Sequence, residues 1–153
     1  MRSLLINHSY LGTGDLFAPS RWLEKLRHPH QHATQCQYRD KELTVRWTRR
    51  AQRQLQEREE PLLVEMQLYF SCMVKKRVLF HPADFESDSE IMPVTQQLSV
   101  TVRTVQSDQC DPVEFARHYP GKRKLDTPGA KKMRPRELTI DFKQGQWEGE
   151  FSI

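Results

Sequence analysis

The sequence predicts an α+β domain: a mostly antiparallel, five-stranded twisted sheet with about three short helices packed on one face. Three observations predict it. Apolar residues alternate with polar ones over 42–47, 64–74 and 98–103, the period of half-buried strands. Helix-capping residues stand between those runs. The C-terminal residues fit a hairpin that keeps all its large apolar side chains on one face. A curled, half-open barrel is the alternative, because two long strands would have to twist strongly.

The elements follow in order. Ala18-Pro19-Ser20 leads into a short helix with Trp22, Leu23 and Leu26 on one face, ended before Pro29. A His- and Gln-rich loop follows, then the alternating strand Glu42-Leu43-Thr44-Val45-Arg46-Trp47. Thr48 caps a helix over about 49–59, where Ala51 and Leu55 are the only apolar stripe, so this helix lies largely in solvent. Pro61 starts the strongest signal. Val64, Met66, Leu68, Phe70, Cys72 and Val74 take one face of a long strand, and Glu65, Gln67, Tyr69 and Ser71 take the other. The alternation breaks at Lys75-Lys76-Arg77 and resumes at Val78 and Phe80, the mark of a bulge or of passage along a sheet edge.

Residues 82–93 read as a loop, and Leu98, Val100 and Val102 mark a second long strand, antiparallel to the first. Asp111-Pro112-Val113-Glu114 supplies a cap, a first-turn proline and an acid three residues after the cap, predicting a helix over 112–119. The C-terminal strands turn at Gln144-Gly145, which pairs Phe142 with Trp147, Ile140 with Gly149 and Leu138 with Phe151.

At 153 residues the chain fits a single domain, 1–153, with a flexible basic loop at about 120–136. The N-terminal Met1 to His8 holds only three consecutive apolar residues, too few for a signal-peptide core or a membrane span, and no other segment comes close. Cys36, Cys72 and Cys110 are odd in number and form no Cys-x-x-Cys pair, so reduced thiols and a cytoplasmic location are expected, with no membrane association. The net charge of +4 is local: residues 121–136 carry seven cations against Asp126, a balance of +6, and the rest of the chain carries −2.

That basic segment is the clearest functional candidate. Lys122, Arg123, Lys124, Lys131, Lys132, Arg134 and Arg136, separated by prolines and glycines, can track the charges of an acidic macromolecule, nucleic acid or protein. No aromatic ring lies inside the segment, so base stacking there is not supported. The plainer alternative is a solvated loop that serves solubility.

A second cluster, His28, His30 and His32 with Cys36, offers imidazoles and a thiolate of the kind that suits zinc, but reproduces no finger spacing. A polar loop is the simpler reading, and no cofactor is expected. Asp84, Glu86, Asp88 and Glu90 alternate along a loop that lacks the glycine and terminal glutamate of a calcium-binding loop; they read as a solvated hairpin tip, able to fold back on the basic segment. No serine nucleophile motif is present, and Cys72 reads as a core residue. The expected function is therefore a non-catalytic binding module engaging an acidic partner through 121–136. The rivals are a metal-dependent enzyme or metal sensor built on His28, His30 and His32, and an assembly subunit using an edge of the 62–80 strand or of the C-terminal hairpin.

Overall fold

The computed structural model describes residues 22–23, 26–70, 74–106, 123–125 and 127–153. Its strands are β1 (His32–Tyr38), β2 (Lys41–Trp47), β3 (Leu62–Phe70), β4 (Val74–Pro82), β5 (Ile91–Thr95), β6 (Leu98–Gln106), β7 (Arg123–Lys124), β8 (Glu137–Lys143) and β9 (Gln146–Ser152). The helices are α1 (Arg49–Glu57) and α2 (Pro128–Lys132). Residues 22–23 and 26–27 are also helical, with Trp22, Leu23 and Leu26 exposed. The helix expected over 112–119 lies outside the described residues.

The expected single five-stranded sheet with helices on one face is not what forms, and the alternative barrel does not close. The strands divide into two sheets. One runs β1-β2-β8-β9; the other runs β4-β3-β6-β5, with β7 added against β6. A single hydrophobic cluster takes Leu43, Val45 and Trp47 from β2, Leu138 and Ile140 from β8, and Trp147 and Phe151 from β9. The other sheet contributes Leu62 to Leu68 of β3, Val78 and Phe80 of β4, and Leu98 to Val102 of β6, each from alternate positions. The protein is thus a two-sheet sandwich whose inner faces share one core. Along one edge Phe80 stacks on Trp147 at 6.0 Å. There the sheets approach so closely that a Cβ on Gly149 would lie 2.7 Å from Val78 Cγ1. Lys76, on the same edge, donates to the Phe151 carbonyl at 2.9 Å and so reaches the rim of the core without burying its charge.

Three local features explain the difference. First, the 62–80 run is two strands, because the chain reverses between Phe70 and Val74, which pair with each other. The apolar alternation spans the reversal without a turn signal. Second, the His- and Gln-rich stretch is β1, in which Thr34, Cys36 and Tyr38 face inward and Ala33, Gln35 and Gln37 face solvent. Its turn to β2, Arg39-Asp40, has φ of 48° and 60°, the left-handed pair of a type I′ hairpin, built without the usual Asn-Gly. Third, β6 runs parallel to β3, with Val64 opposite Val100, because β4 and β5 intervene and lie on opposite edges of the sheet.

Other expectations hold residue by residue. Phe142 pairs with Trp147, Ile140 with Gly149 and Leu138 with Phe151, around a turn in which Gln144 and Gly145 have φ of 51° and 77°. The Thr48 hydroxyl accepts from Ala51 N–H and caps α1, whose buried residues are Ala51 and Leu55. No helix among the described residues is long and apolar enough to cross a membrane.

Candidate functional site

The basic segment acquires structure from its neighbours. Arg123 and Lys124 pair with Gln106 and Val105 as β7, and Leu125 N–H donates to the Thr104 carbonyl at 2.9 Å. Thr127 caps α2 through Ala130 N–H, with Pro128 at the first turn and Lys131 and Lys132 in the last, where a helix favours cations. Pro135 is buried, and Arg136 is tied by its backbone between Thr44 of β2 and Ser152 of β9. Lys122 lies outside the described residues.

Carbonyl oxygens hold two of these cations. Lys124 Nζ donates to the Asp88 carbonyl at 3.2 Å, and Arg134 Nη1 donates to the Arg39 carbonyl at 3.2 Å. Lys132 and Arg136 are exposed and form no ion pair among the described residues. Arg39 itself lies over the Tyr38 ring, 5.2 Å from its centroid. Burial raises the Tyr38 hydroxyl above its ordinary pKa against the lowering effect of Arg39; Glu90 raises it further and Arg134 lowers it. The acidic loop thus meets the basic segment at Asp88 and Lys124. A crevice of about 130 Å³, bordered by Tyr38, Arg39, Glu90 and Lys124, lies at that junction.

The histidine cluster is not brought together. His32 and Cys36 occupy one face of β1, but they stand four positions apart along the strand, about 13 Å, too far to share an ion. His32 instead stacks on Trp47 at 5.8 Å, and burial raises the Cys36 thiol above its ordinary pKa. His28 is exposed and His30 half-buried. Among the described residues no three His, Cys, Asp or Glu side chains converge in a way that would hold a metal. Cys72 and Cys110 lie outside the described residues.

Both segments expected to offer an edge do so: β4, the second half of the 62–80 run, and β9 of the C-terminal hairpin are edge strands, whereas β3 is interior.

The structure adds a site that the alternation pattern concealed. Glu65, Gln67 and Tyr69 face away from the shared core, where a half-buried strand would leave them in water, yet all three are buried. Arg77 and Arg103 flank Gln67 on the neighbouring strands, and Thr101 lies opposite Glu65. The buried set also includes Arg77, His81 and Thr101. Arg77 Nε donates to Gln67 Oε1, and Gln67 Nε2 donates to Glu65 Oε2 at 3.0 Å. The chain of bonds ends there. Glu65 Oε1 lies 3.7 Å from His81 Nε2, beyond hydrogen-bond reach, and neither atom has a hydrogen-bond partner.

The segment between β4 and β5 packs against His81, Thr101 and Arg103 of this row. Phe85 stacks on His81 with ring centroids 3.8 Å apart, and the Thr101 hydroxyl donates to the Glu90 carbonyl at 2.8 Å. Asp88 Oδ1 lies 3.4 Å from Arg103 Nε. Beneath the segment a cavity of about 140 Å³ is bordered by Glu65, Phe85, Glu86, Ser87, Asp88 and Arg103. The signal in the sequence was the placement of Gln67 opposite Arg77 and Arg103, and of Glu65 opposite Thr101, which becomes visible only once the strand pairing is known.

No protein-family model matches the chain, and neither the curated proteins nor the solved structures searched contain a significant match.

Proposed function

We propose that the protein is a non-catalytic binding module that engages an acidic macromolecule through the basic surface of residues 121–136. One observation carries the reading: Lys124 and Arg134 are held by carbonyl oxygens and not by carboxylates, so they are positioned without being neutralised. Lys132 and Arg136 stand exposed beside them. Cations presented in this way act on a partner through a screened field, giving fast association and strong salt dependence. The charge pattern supports nucleic acid and an acidic protein surface equally, and a cytosolic setting accords with either.

Titration of a fluorescent duplex oligonucleotide at several salt concentrations tests the proposal. If all seven cations of the segment meet phosphates, the log–log salt slope is about −6, and neutralising Lys124, Lys131, Lys132, Arg134 and Arg136 reduces it to about −2. Binding with the same slope in that variant would refute this surface as the contact. Absence of oligonucleotide binding, together with variant-sensitive binding of a polyglutamate probe, assigns the surface to an acidic protein; failure of both probes overturns the proposal.

A further inference from the structure

The outer face of the β4-β3-β6-β5 sheet carries a second inference, independent of the basic surface. Glu65 is 1% exposed, borders the 140 Å³ cavity, and has one oxygen with no hydrogen-bond partner. A buried carboxylate with an unmet acceptor is costly, because desolvation is not offset by a bond. Three carboxylates, Glu65, Glu86 and Asp88, border the cavity against a single guanidinium, Arg103, whose Nε lies 3.4 Å from Asp88 Oδ1 without a hydrogen bond; the unbonded Glu65 oxygen lies 3.7 Å from His81 Nε2, which is outside the cavity lining. The balance calls for a cation. A metal ion is a poor fit, since among the described residues no three metal-ligating side chains converge. An organic cation needs fewer protein donors and can rest its carbon stem on an aromatic wall. Phe85 provides that wall, fixed by its stack on His81. The volume is close to the roughly 150 Å³ of cavities that accept benzene, so a stem of a few carbons fits.

We propose that this crevice binds a small organic ammonium ion, with Glu65 as its buried acceptor and Asp88 and Glu86 at its rim. The ammonium donates to Glu65, and the alkyl stem lies along Phe85. Ser87 offers a hydroxyl for a further polar group on the ligand.

The test is an NMR titration of the full chain with n-butylammonium chloride, and with n-butanol and sodium butyrate as probes of similar size but different charge. The expected result is a saturable shift of the resonances of Phe85, Ser87, Asp88 and Arg103 by n-butylammonium, with a dissociation constant in the millimolar range or tighter. The alcohol and the carboxylate bind about tenfold more weakly or less, the loss expected when a charged hydrogen bond is removed. Glu65→Gln weakens n-butylammonium by a similar factor. Asp88→Asn, at an exposed position, weakens it several-fold and keeps the test valid should Glu65→Gln fail to fold. Absence of a saturable shift, equal affinity for n-butanol, or unchanged affinity in a folded variant of each kind would overturn the site.

Discussion

Two carboxylates on β-strands of the same sandwich, Asp141 and Glu65, meet opposite treatment. Asp141 lies in β8 beside the start of α1, and its side chain is 17% exposed. Its Oδ1 accepts from the Thr48 hydroxyl at 2.6 Å, from Arg50 Nε at 2.7 Å and from Phe142 N–H at 2.8 Å, and Oδ2 accepts from Arg50 Nη2. Glu65 is more deeply buried and accepts one bond, from Gln67. Burial alone would raise the Asp141 pKa, but the bonds from Arg50, Thr48 and Phe142 outweigh it and hold the carboxyl below its ordinary value. A carboxylate with both oxygens bonded is a structural pin. One with an oxygen unbonded beside a cavity is a place for a ligand.

The comparison is open to direct test. The largest effect belongs to Asp141→Asn, which breaks the link between β8 and α1 and lowers stability at neutral pH by about 1–3 kcal/mol, measured by urea unfolding. Because the folded pKa is depressed, that stabilisation is fully present above the unfolded value, near 3.8, and is lost as pH falls through the lower folded value. The unfolding curves of wild type and variant should therefore converge in strong acid; a gap that stays constant down to that range would remove the charge from the explanation. Thr48→Ala removes both the cap on α1 and one bond to Asp141, costing about 1–2 kcal/mol. Glu65→Gln keeps an acceptor for Gln67 while discharging a poorly bonded buried group. Its unfolding free energy should change by less than about 1 kcal/mol, with stabilisation the expected sign. A loss as large as that of Asp141→Asn would make the two carboxylates alike. Smallest of all, neutralising the five described cations of 124–136 should alter stability by about 0.5 kcal/mol or less, since surface positions carry little of the fold.

Local physics was legible in the sequence where it is self-contained. The cap at Thr48, the two-residue stripe of Ala51 and Leu55, and the register of the C-terminal hairpin depend on neighbours a few residues apart, and each is found as read. What could not be read is pairing at a distance. The apolar alternation of the sequence runs from Val64 to Val74 across a chain reversal, so two antiparallel strands imitate one long strand, although Val74 is exposed. β1 hides in a polar composition because its edge position leaves alternate residues in water. The candidate crevice suffers from the same limit: Glu65 and Gln67 have the pattern of a solvated strand face, yet both are buried, with the 83–90 loop packed against Glu65 and His81. The charge of 121–136 needed no fold to be seen, whereas its anchorage on the carbonyls of Asp88 and Arg39 did.

The measurement that bears most directly on the meaning of the unbonded oxygen is thermal unfolding of wild type and Glu65→Gln, each in n-butylammonium chloride and in sodium chloride at equal ionic strength. Ligand bound only by the folded state raises the midpoint, by about 2–4 °C for each kcal/mol in a chain of this size. A midpoint raised by n-butylammonium in the wild type and unmoved in Glu65→Gln is the predicted result. Equal midpoints in the two salts for the wild type, or an equal rise in both proteins, would contradict it.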